Sequence, residues 1–231
     1  MLLYLSLNFF LISFCGAAVI TEPPIKQNVE LLNIYHDLME KYDPHLLDFV
    51  DLIDVNKVVD VVMEHEKNDP ELDNFFKYFG DCLEDLSKLP EVQQAVLLIH
   101  SNIFNTSNAN VVIVATTETE VPAPVSKIAR KRSQRVNLLI EEIIQVLPLD
   151  KMKNLLEKKL KTNADVAMLF EIITSEEFLE IVQRFKANPK VVAAKGVLED
   201  FGLDFDRLNK MTEYVFGDYF EKISGINKNK E

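Results

Sequence analysis

The hydrophobic positions of this chain recur at helical spacing, and the stripe that they form is broad. From Phe49 to Val55, and again from Val58 to Met63, apolar residues occupy well over half of a helical wheel. Interleaved Asp and Lys residues at spacings of three to four favour helices over Val-rich strands, and hairpin-turn signals are absent. Helices of this kind are buried on more than one side, or lie between a core and an apolar lumen.

Prolines indicate where helices begin, because proline is tolerated in the first turn of a helix. The prolines at segment starts are Pro44, Pro70, Pro90, Pro148 and Pro189. Asp69 can cap the turn that starts at Pro70, and Thr174 with Glu177 predicts a capping box before the next helix. We therefore predict many short helices of about 8–15 residues instead of a few long ones.

The same apolar pattern occurs twice. The stretch from Leu52 to Val96 returns between Val146 and Lys195, first at an offset of 94 positions and, after a five-residue insertion near Thr174, at an offset of 99. A duplicated apolar pattern is typical of helices that share a hydrophobic wall, whereas an enzyme site is usually one asymmetric group of residues. We expect the two copies to pack against each other in this way.

Fourteen apolar positions are candidates for the lining of an internal cavity. They are Val61, Val62, Phe75, Phe76, Phe79, Leu83 and Leu86 in the first copy, and Leu155, Leu156, Leu169, Phe170, Ile173, Val182 and Phe185 in the second. The sequence alone leaves two alternatives open for each residue, solid core or cavity lining. We expect at least one of the equivalent Phe76 and Phe170 to face a lumen, because the stripe around Phe170 is wider than one packed face needs.

The predicted domain organisation follows from composition. Residues 1–20 lack charged residues and include small residues at the expected cleavage position, Cys15-Gly16-Ala17, which predicts a signal peptide over 1–17, with an N-terminal membrane anchor as the alternative. An extension over 18–34, a helical repeat over 35–104, a linker over 105–134, a second helical repeat over 135–223 and a polar tail over 224–231 complete the division. The linker contains a short β-prone run from Val111 to Ala115 and a candidate glycosylation sequon at Asn105.

The net charge limits the partners that the protein is expected to bind, and the cysteine content limits its disulfides. The formal net charge of −12 argues against nucleic acid and against anionic membranes as partners, so membrane contact is expected to be transient at most. One basic segment is an exception to the acidic character of the chain. It is either a solvated edge of the linker or a tryptic processing site. It comprises Lys127, Arg130, Lys131, Arg132 and Arg135. Removal of the signal peptide leaves Cys82 as the single cysteine, which predicts a buried thiol and no disulfide.

The sequence offers no recognisable catalytic or metal-binding motif. A Gly-rich phosphate loop, a nucleophile elbow and a complete zinc-protease motif are all missing, and His36, His45, His65 and His100 are scattered. We therefore expect no cofactor, no metal and no enzymatic activity. Asp60, within a run of valines, is the one carboxylate whose placement is worth testing, and we expect it to point outward.

Four motifs of the second copy occur in a specific order. They are Leu147-Pro148-Leu149-Asp150-Lys151, Thr174-Ser175-Glu176-Glu177-Phe178, Asn188-Pro189-Lys190-Val191 and Gly202-Leu203-Asp204-Phe205. With them, the segment from Tyr35 to Phe220 resembles the insect allergen-related repeat family, which includes cockroach group 1 allergens, insect midgut microvillar proteins and caterpillar nitrile-specifier proteins. The first copy departs from the motifs. Asp54 replaces the proline, and Phe79-Gly80-Asp81-Cys82-Leu83 stands where the second copy has its Ser-Glu-Glu-Phe element.

The resemblance implies an all-α fold, a multi-helix capsule in which two similar repeats enclose a large apolar cavity. It also implies a secreted carrier of fatty acids or phospholipids in the gut lumen or at the microvillar surface of an insect. An empty cavity of order 1,000 Å³ would cost roughly 24 kcal/mol, more than the ~5–15 kcal/mol stability of a domain, so acyl chains are expected to fill it. A nitrile-specifier-type detoxification protein and a structural gut-surface protein with a solid core are the alternatives.

Overall fold

The computed structural model describes residues 29–69, 72–105 and 133–224, and every regular element in these ranges is a helix. The eleven helices are α1 (Val29–Val50), α2 (Val55–Asn68), α3 (Leu72–Ser87), α4 (Pro90–Phe104), α5 (Ser133–Val146), α6 (Leu149–Thr162), α7 (Ala164–Ile173), α8 (Glu176–Ala187), α9 (Pro189–Asp200), α10 (Phe205–Phe216) and α11 (Asp218–Ser224). The predicted all-α class is confirmed. The predicted signal peptide, the β-prone run and the lysines and arginines at 127–132 lie outside the described residues.

The helix boundaries reproduce the duplication seen in the sequence. Helices α2 and α6 each have 14 residues, and their first and last residues are 94 positions apart. Pro90 and Pro189 occupy the first turns of α4 and α9, as predicted, at an offset of 99. Between these equivalent helices the first copy has the single helix α3, whereas the second has α7 and α8 with a break at Thr174 and Ser175. The insertion inferred from the sequence therefore lies at a helix break.

The prediction that Pro44 starts a helix is wrong, because Pro44 lies inside α1, which is 22 residues long. The ring of Pro44 costs the helix a backbone hydrogen bond. Buried side chains on both sides of the proline, such as Ile34 before it and Phe49 after it, hold the chain helical. The length of α1 also exceeds the predicted range. The prediction for Pro148 is wrong by one position, since Pro148 is the N-cap of α6 and not its first residue.

The predicted capping box led by Thr174 is wrong by one residue. Ser175 is the N-cap of α8, and its side chain accepts a hydrogen bond from the backbone N–H of Phe178 at 3.3 Å. The Thr174 hydroxyl instead donates to the carbonyl of Phe170 at 2.7 Å and closes α7. Because the break between the helices is so short, one residue must end α7 and its neighbour must begin α8.

Helix α4 lies at the centre of the packing. It contacts α1, α3, α7 and α8, and none of its residues from Pro90 to Ser101 is exposed. A helix at least partly covered on all sides needs no polar face, which explains the continuous apolar run from Ala95 to Ile99. The broad apolar stripes in the sequence therefore correspond, for this helix, to partial or complete burial on every side.

Two hydrophobic clusters flank α4 and α3. The α4 cluster consists of buried residues of α4, α6, α7 and α8 together with Phe49, Val215 and Ile223. The α3 cluster consists of buried residues of α3, α5 and α10 together with Leu198 and Leu203. Each cluster draws residues from both copies. The copies therefore interleave, and neither copy forms its own separate core.

Two ion pairs repeat across the duplication with the copies exchanged. Asp48 of α1 meets Lys159 of α6, with Oδ2 and Nζ 2.5 Å apart. Glu142 of α5 meets His65 of α2, with Oε2 and Nε2 3.2 Å apart. Positions 48 and 142, and likewise 65 and 159, are 94 residues apart. The contact of α1 with α6 is therefore repeated by the equivalent contact of α5 with α2, as in an approximately two-fold arrangement.

Candidate functional site

The fourteen candidate positions are divided between the two hydrophobic clusters. Those of the first copy pack in the α3 cluster, and those of the second copy pack in the α4 cluster. Leu86, at the end of α3, contacts both clusters. The structure thus brings the candidates together as two groups with Leu86 between them.

Burial differs between the two groups. The buried candidates are Phe75, Phe79, Leu156, Phe170, Ile173, Val182 and Phe185. The half-buried candidates are Val61, Val62, Phe76, Leu83, Leu86, Leu155 and Leu169. Five of the seven second-copy candidates are buried, against two of the seven in the first copy. Among the fourteen candidates, the apolar side chains that are only partly covered therefore lie mainly in the first copy.

The aromatic residues show the same contrast. Phe170 is 7% exposed and packs against Tyr219 and Phe216, with ring centroids 5.0 and 6.1 Å away. Phe76 touches the ring of Phe75 edge-on, with centroids 5.5 Å apart, and is half-buried. Phe170 is enclosed by aromatic neighbours, whereas Phe76 keeps part of its ring uncovered.

Helix α4 adds candidate residues that sequence reasoning missed. Val96, Leu97, Leu98 and Ile99 are four consecutive half-buried residues, so together they point to every side of the helix. Leu98 and Ile99 pack against the α4 cluster and also against a smaller cluster around Tyr42. The signal was present as an uninterrupted apolar run in a short helix. At the offset of 99 only Leu98 and Ile99 align with apolar residues of the second copy, so the comparison of copies covers half of the run.

A polar group joins α1 to α6 and α7 beside the α4 cluster. Lys159 is only 8% exposed, and its ammonium lies 2.5 Å from Asp48 Oδ2 and 3.2 Å from His45 Nδ1. The hydrogen bond from Lys159 lowers the pKa of the Asp48 carboxyl. The Tyr42 hydroxyl donates to the carbonyl of Asp165 at 3.1 Å, and burial raises the pKa of Tyr42 to about 12. Because Lys159 is already paired, this group serves to hold helices together.

The remaining predicted residues lie as follows. Cys82 is buried, as predicted, and burial raises the pKa of its thiol to about 11, which makes it a poor nucleophile at neutral pH. Asp60 is exposed, so the prediction that it points outward is confirmed. Asn105 is exposed and adopts a left-handed conformation with φ of 51° at the end of α4, a position that asparagine tolerates well. Its glycosylation stays a prediction, since the rest of the sequon lies outside the described residues.

The described part of the chain contains neither a cluster of metal ligands nor a helix that could span a membrane. There, no group of three or more His, Cys, Asp or Glu side chains is placed to hold a metal ion. No helix in the same residues combines the length and the apolar character needed to cross a bilayer.

Comparison with known proteins decides the family. A sequence profile described as insect allergen related repeat, nitrile-specifier detoxification, matches residues 41–209, well over half of the chain. The chain belongs to the insect allergen related repeat family. The family match begins within α1 and ends within α10, so it takes in both copies and all fourteen candidate positions. No curated protein and no solved structure matches the chain at a significant level.

Proposed function

We propose that this protein is a secreted, non-enzymatic carrier of fatty acids or phospholipids in the insect digestive tract. In this proposal the signal peptide over residues 1–17 directs it to the gut lumen or the microvillar surface. The acyl chains lie against the half-buried apolar residues of the first copy and of α4. The packed residues of the second copy provide the rigid part of the wall.

The observation that carries the proposal is the incomplete burial of large apolar side chains within apolar clusters. Phe76, Leu83 and Leu86 pack against buried neighbours but are themselves only half-buried. The central run from Val96 to Ile99 is also half-buried, and its side chains point to every side of α4. Covering apolar surface of this kind is favourable by ~25 cal/mol for each Å² removed from water. An acyl chain has the shape and chemistry to provide that cover.

The size of the effect supports acyl chains as ligands. Burial is worth about 0.8 kcal/mol for each methylene. A chain of ~14 methylenes therefore gains about 11 kcal/mol, from which the cost of ordering the ligand must be subtracted. Lys159 already binds Asp48 and is therefore not free to bind a charged lipid head group. In this proposal the affinity comes mainly from the acyl chain of the lipid.

The proposal is tested by asking what the protein carries. Protein purified from its source is extracted with organic solvent and the extract is analysed by mass spectrometry. The delipidated protein is then titrated with a fluorescent fatty acid. We expect co-purified fatty acid or phospholipid and saturable binding. An empty protein that also fails to bind the probe would exclude the carrier function and would favour a structural gut-surface protein with a solid core.

A second candidate function is the diversion of glucosinolate breakdown toward nitriles. The description of the matching family, which names nitrile-specifier detoxification, favours it. Against it, Cys82 is buried with a raised pKa, and Asp60 lies exposed on a helix surface. The test is incubation with myrosinase and a glucosinolate. A rise in nitrile at the expense of isothiocyanate would support this function, and an unchanged isothiocyanate yield would remove it.

A further inference from the structure

We propose that the outer face of α6 is a docking surface for anionic lipid membranes, from which the carrier collects lipid or to which it delivers it. This inference rests on the proposed carrier function. The face consists of Lys151, Asn154, Lys158 and Lys161, all exposed. At 3.6 residues per turn these positions lie within about 80° of one another around the helix. From Lys151 to Lys161 the row is roughly 15 Å long at 1.5 Å per residue.

The charge of α6 is opposite to that of the protein. Five lysines against one aspartate and one glutamate give α6 a charge of +3, whereas the whole chain carries −12. One of the five, Lys159, is buried and paired with Asp48, and both acidic residues of α6, Asp150 and Glu157, are exposed beside the lysine row. Exposed charges more than a Debye length apart, about 8 Å at physiological salt, are largely screened from each other. The charges on α6 itself therefore govern docking, and the acidic surface on other parts of the protein contributes less.

The lysines of this face are available to a partner. Within the described part of the chain, Lys151, Lys158 and Lys161 form no ion pair with a carboxylate. Lys158 helps to lower the pKa of the Asp48 carboxyl, but Asp48 is already paired with Lys159. The three ammonium groups are thus free to contact anionic head groups.

The equivalent face of α2 shows that the fold does not require this charge. At an offset of 94, Lys57, Asp60, Glu64 and Lys67 take the places of Lys151, Asn154, Lys158 and Lys161. All four α2 residues are exposed, and their charges cancel. The two helices have the same length and begin at equivalent positions. The basic face is therefore a property of the second copy alone.

The chemistry of the face favours a lipid surface over nucleic acid. Helix α6 contains lysines and no arginine. Lysine is a compact point charge that suits a diffuse anionic surface, whereas arginine forks are the usual choice for specific phosphate recognition. Each lysine near an anionic bilayer strengthens partition about fivefold. A row of three gives weak, reversible and salt-dependent docking, as the transfer of lipid requires.

The test is vesicle flotation at ~0.1 M salt, where the Debye length is about 10 Å. Vesicles of phosphatidylcholine alone are compared with vesicles that also contain phosphatidylserine. The variant Lys151→Gln/Lys161→Gln is compared with its matched control, Lys57→Gln/Lys67→Gln, which removes the same charge from equivalent positions of α2. We expect wild-type binding only with phosphatidylserine, roughly 25-fold weaker binding for the α6 variant, and less than a twofold change for the control.

Reciprocal swaps sharpen the test. Lys158→Glu gives α6 the residue of α2, and Glu64→Lys gives α2 the residue of α6. We expect the first to weaken vesicle binding and the second to strengthen it. Equal losses in the α6 variant and its control, binding that ignores phosphatidylserine, or loss of binding to a DNA duplex without loss of binding to vesicles would overturn the proposal.

The carrier function is measured separately. Fluorescent fatty acid binding is titrated without vesicles for every variant, and circular dichroism checks that each is folded. Unchanged fatty acid affinity with lost vesicle binding supports the docking surface. Vesicle binding by a protein that fails to bind fatty acid removes the carrier function, and with it the role of the face in lipid transfer. Fatty acid binding without vesicle binding overturns only the docking surface.

Discussion

The single helix α3 of the first copy and the pair α7 and α8 of the second are built from equivalent sequence but bury their side chains to different extents. Helix α3 continues without interruption through Gly80, whereas the second copy breaks at Ser175. The break lets the chain change direction between α7 and α8, and both helices lie along α4. Phe178 in the first turn of α8 is completely buried as a result. Among the candidate positions, the copy with this break is therefore the one whose side chains are more completely buried.

The largest predicted effect comes from the residue that the break buries. Phe178→Ala removes a side chain with 0% exposure and is expected to cost about 3–5 kcal/mol of unfolding free energy, through lost transfer energy and the cavity that remains. Urea denaturation measures this cost as a lower midpoint with an unchanged slope. A loss below about 1 kcal/mol, as for a typical surface substitution, would show that α8 does not depend on this contact.

The next prediction compares the equivalent Phe76 and Phe170. Phe170→Ala leaves a cavity beside Phe216 and Tyr219. We therefore expect a loss of about 3–5 kcal/mol in the unfolding free energy of the delipidated protein. Phe76→Ala removes a half-buried ring and is expected to cost less stability but to change fatty acid affinity. Thermal melts with and without fatty acid, together with probe titrations, separate the two effects. A large loss for both variants with unchanged affinity would assign both residues to the core.

The break itself is tested by its N-cap. Ser175→Ala removes the acceptor for the Phe178 N–H and is expected to cost ~1 kcal/mol, the usual effect of losing such a cap. Thr174→Ala is the matched control, because the Thr174 hydroxyl bonds back into α7 and caps nothing in α8. Its expected effect is within ±0.5 kcal/mol. A larger loss for Thr174→Ala than for Ser175→Ala would contradict the cap assignment.

The smallest predicted effect distinguishes the two equivalent ion pairs. Asp48→Asn removes the carboxylate that pairs with the buried Lys159. Glu142→Gln removes the carboxylate that pairs with the half-buried His65. Both carboxylates are exposed enough for water to screen them, so losses of about 1 kcal/mol or less are expected at pH 7, with Asp48→Asn the larger. Chemical denaturation of both variants and the wild type at one pH gives the comparison.

The pH dependence of the Asp48 pair follows from the lowered pKa of its carboxyl in the folded protein. A lowered folded pKa stabilises the protein above the unfolded pKa, about 3.9 for aspartate, and the contribution is lost as the pH falls through the folded value. The difference between wild type and Asp48→Asn is therefore expected to be present at pH 7 and to disappear in strong acid. A difference that persists at pH 2 would show that the charge of Asp48 is not responsible.

Part of the candidate site could be predicted from sequence because both copies carry it. The fourteen candidate positions, which were selected as apolar in both copies, all lie in hydrophobic clusters. Their division into buried and half-buried residues could not be predicted, since a helical period identifies the apolar face of a helix but not the neighbour that covers it. The same limit explains Lys159, which looks like its exposed neighbours in α6 until α1 packs over it.

The sequence by itself determined the helical class, the duplication, the start of α4 at Pro90 and of α9 at Pro189, and the burial of Cys82. These features depend on periodicity, on the fixed φ of proline and on the apolar character of single residues, which are all local. The tertiary structure alone decided that α1 continues through Pro44, that α8 begins after Ser175, and that the copies interleave around α4. Those outcomes depend on burial against distant parts of the chain, which outweighs local preference because apolar contacts gain more free energy than one helix cap or one backbone hydrogen bond.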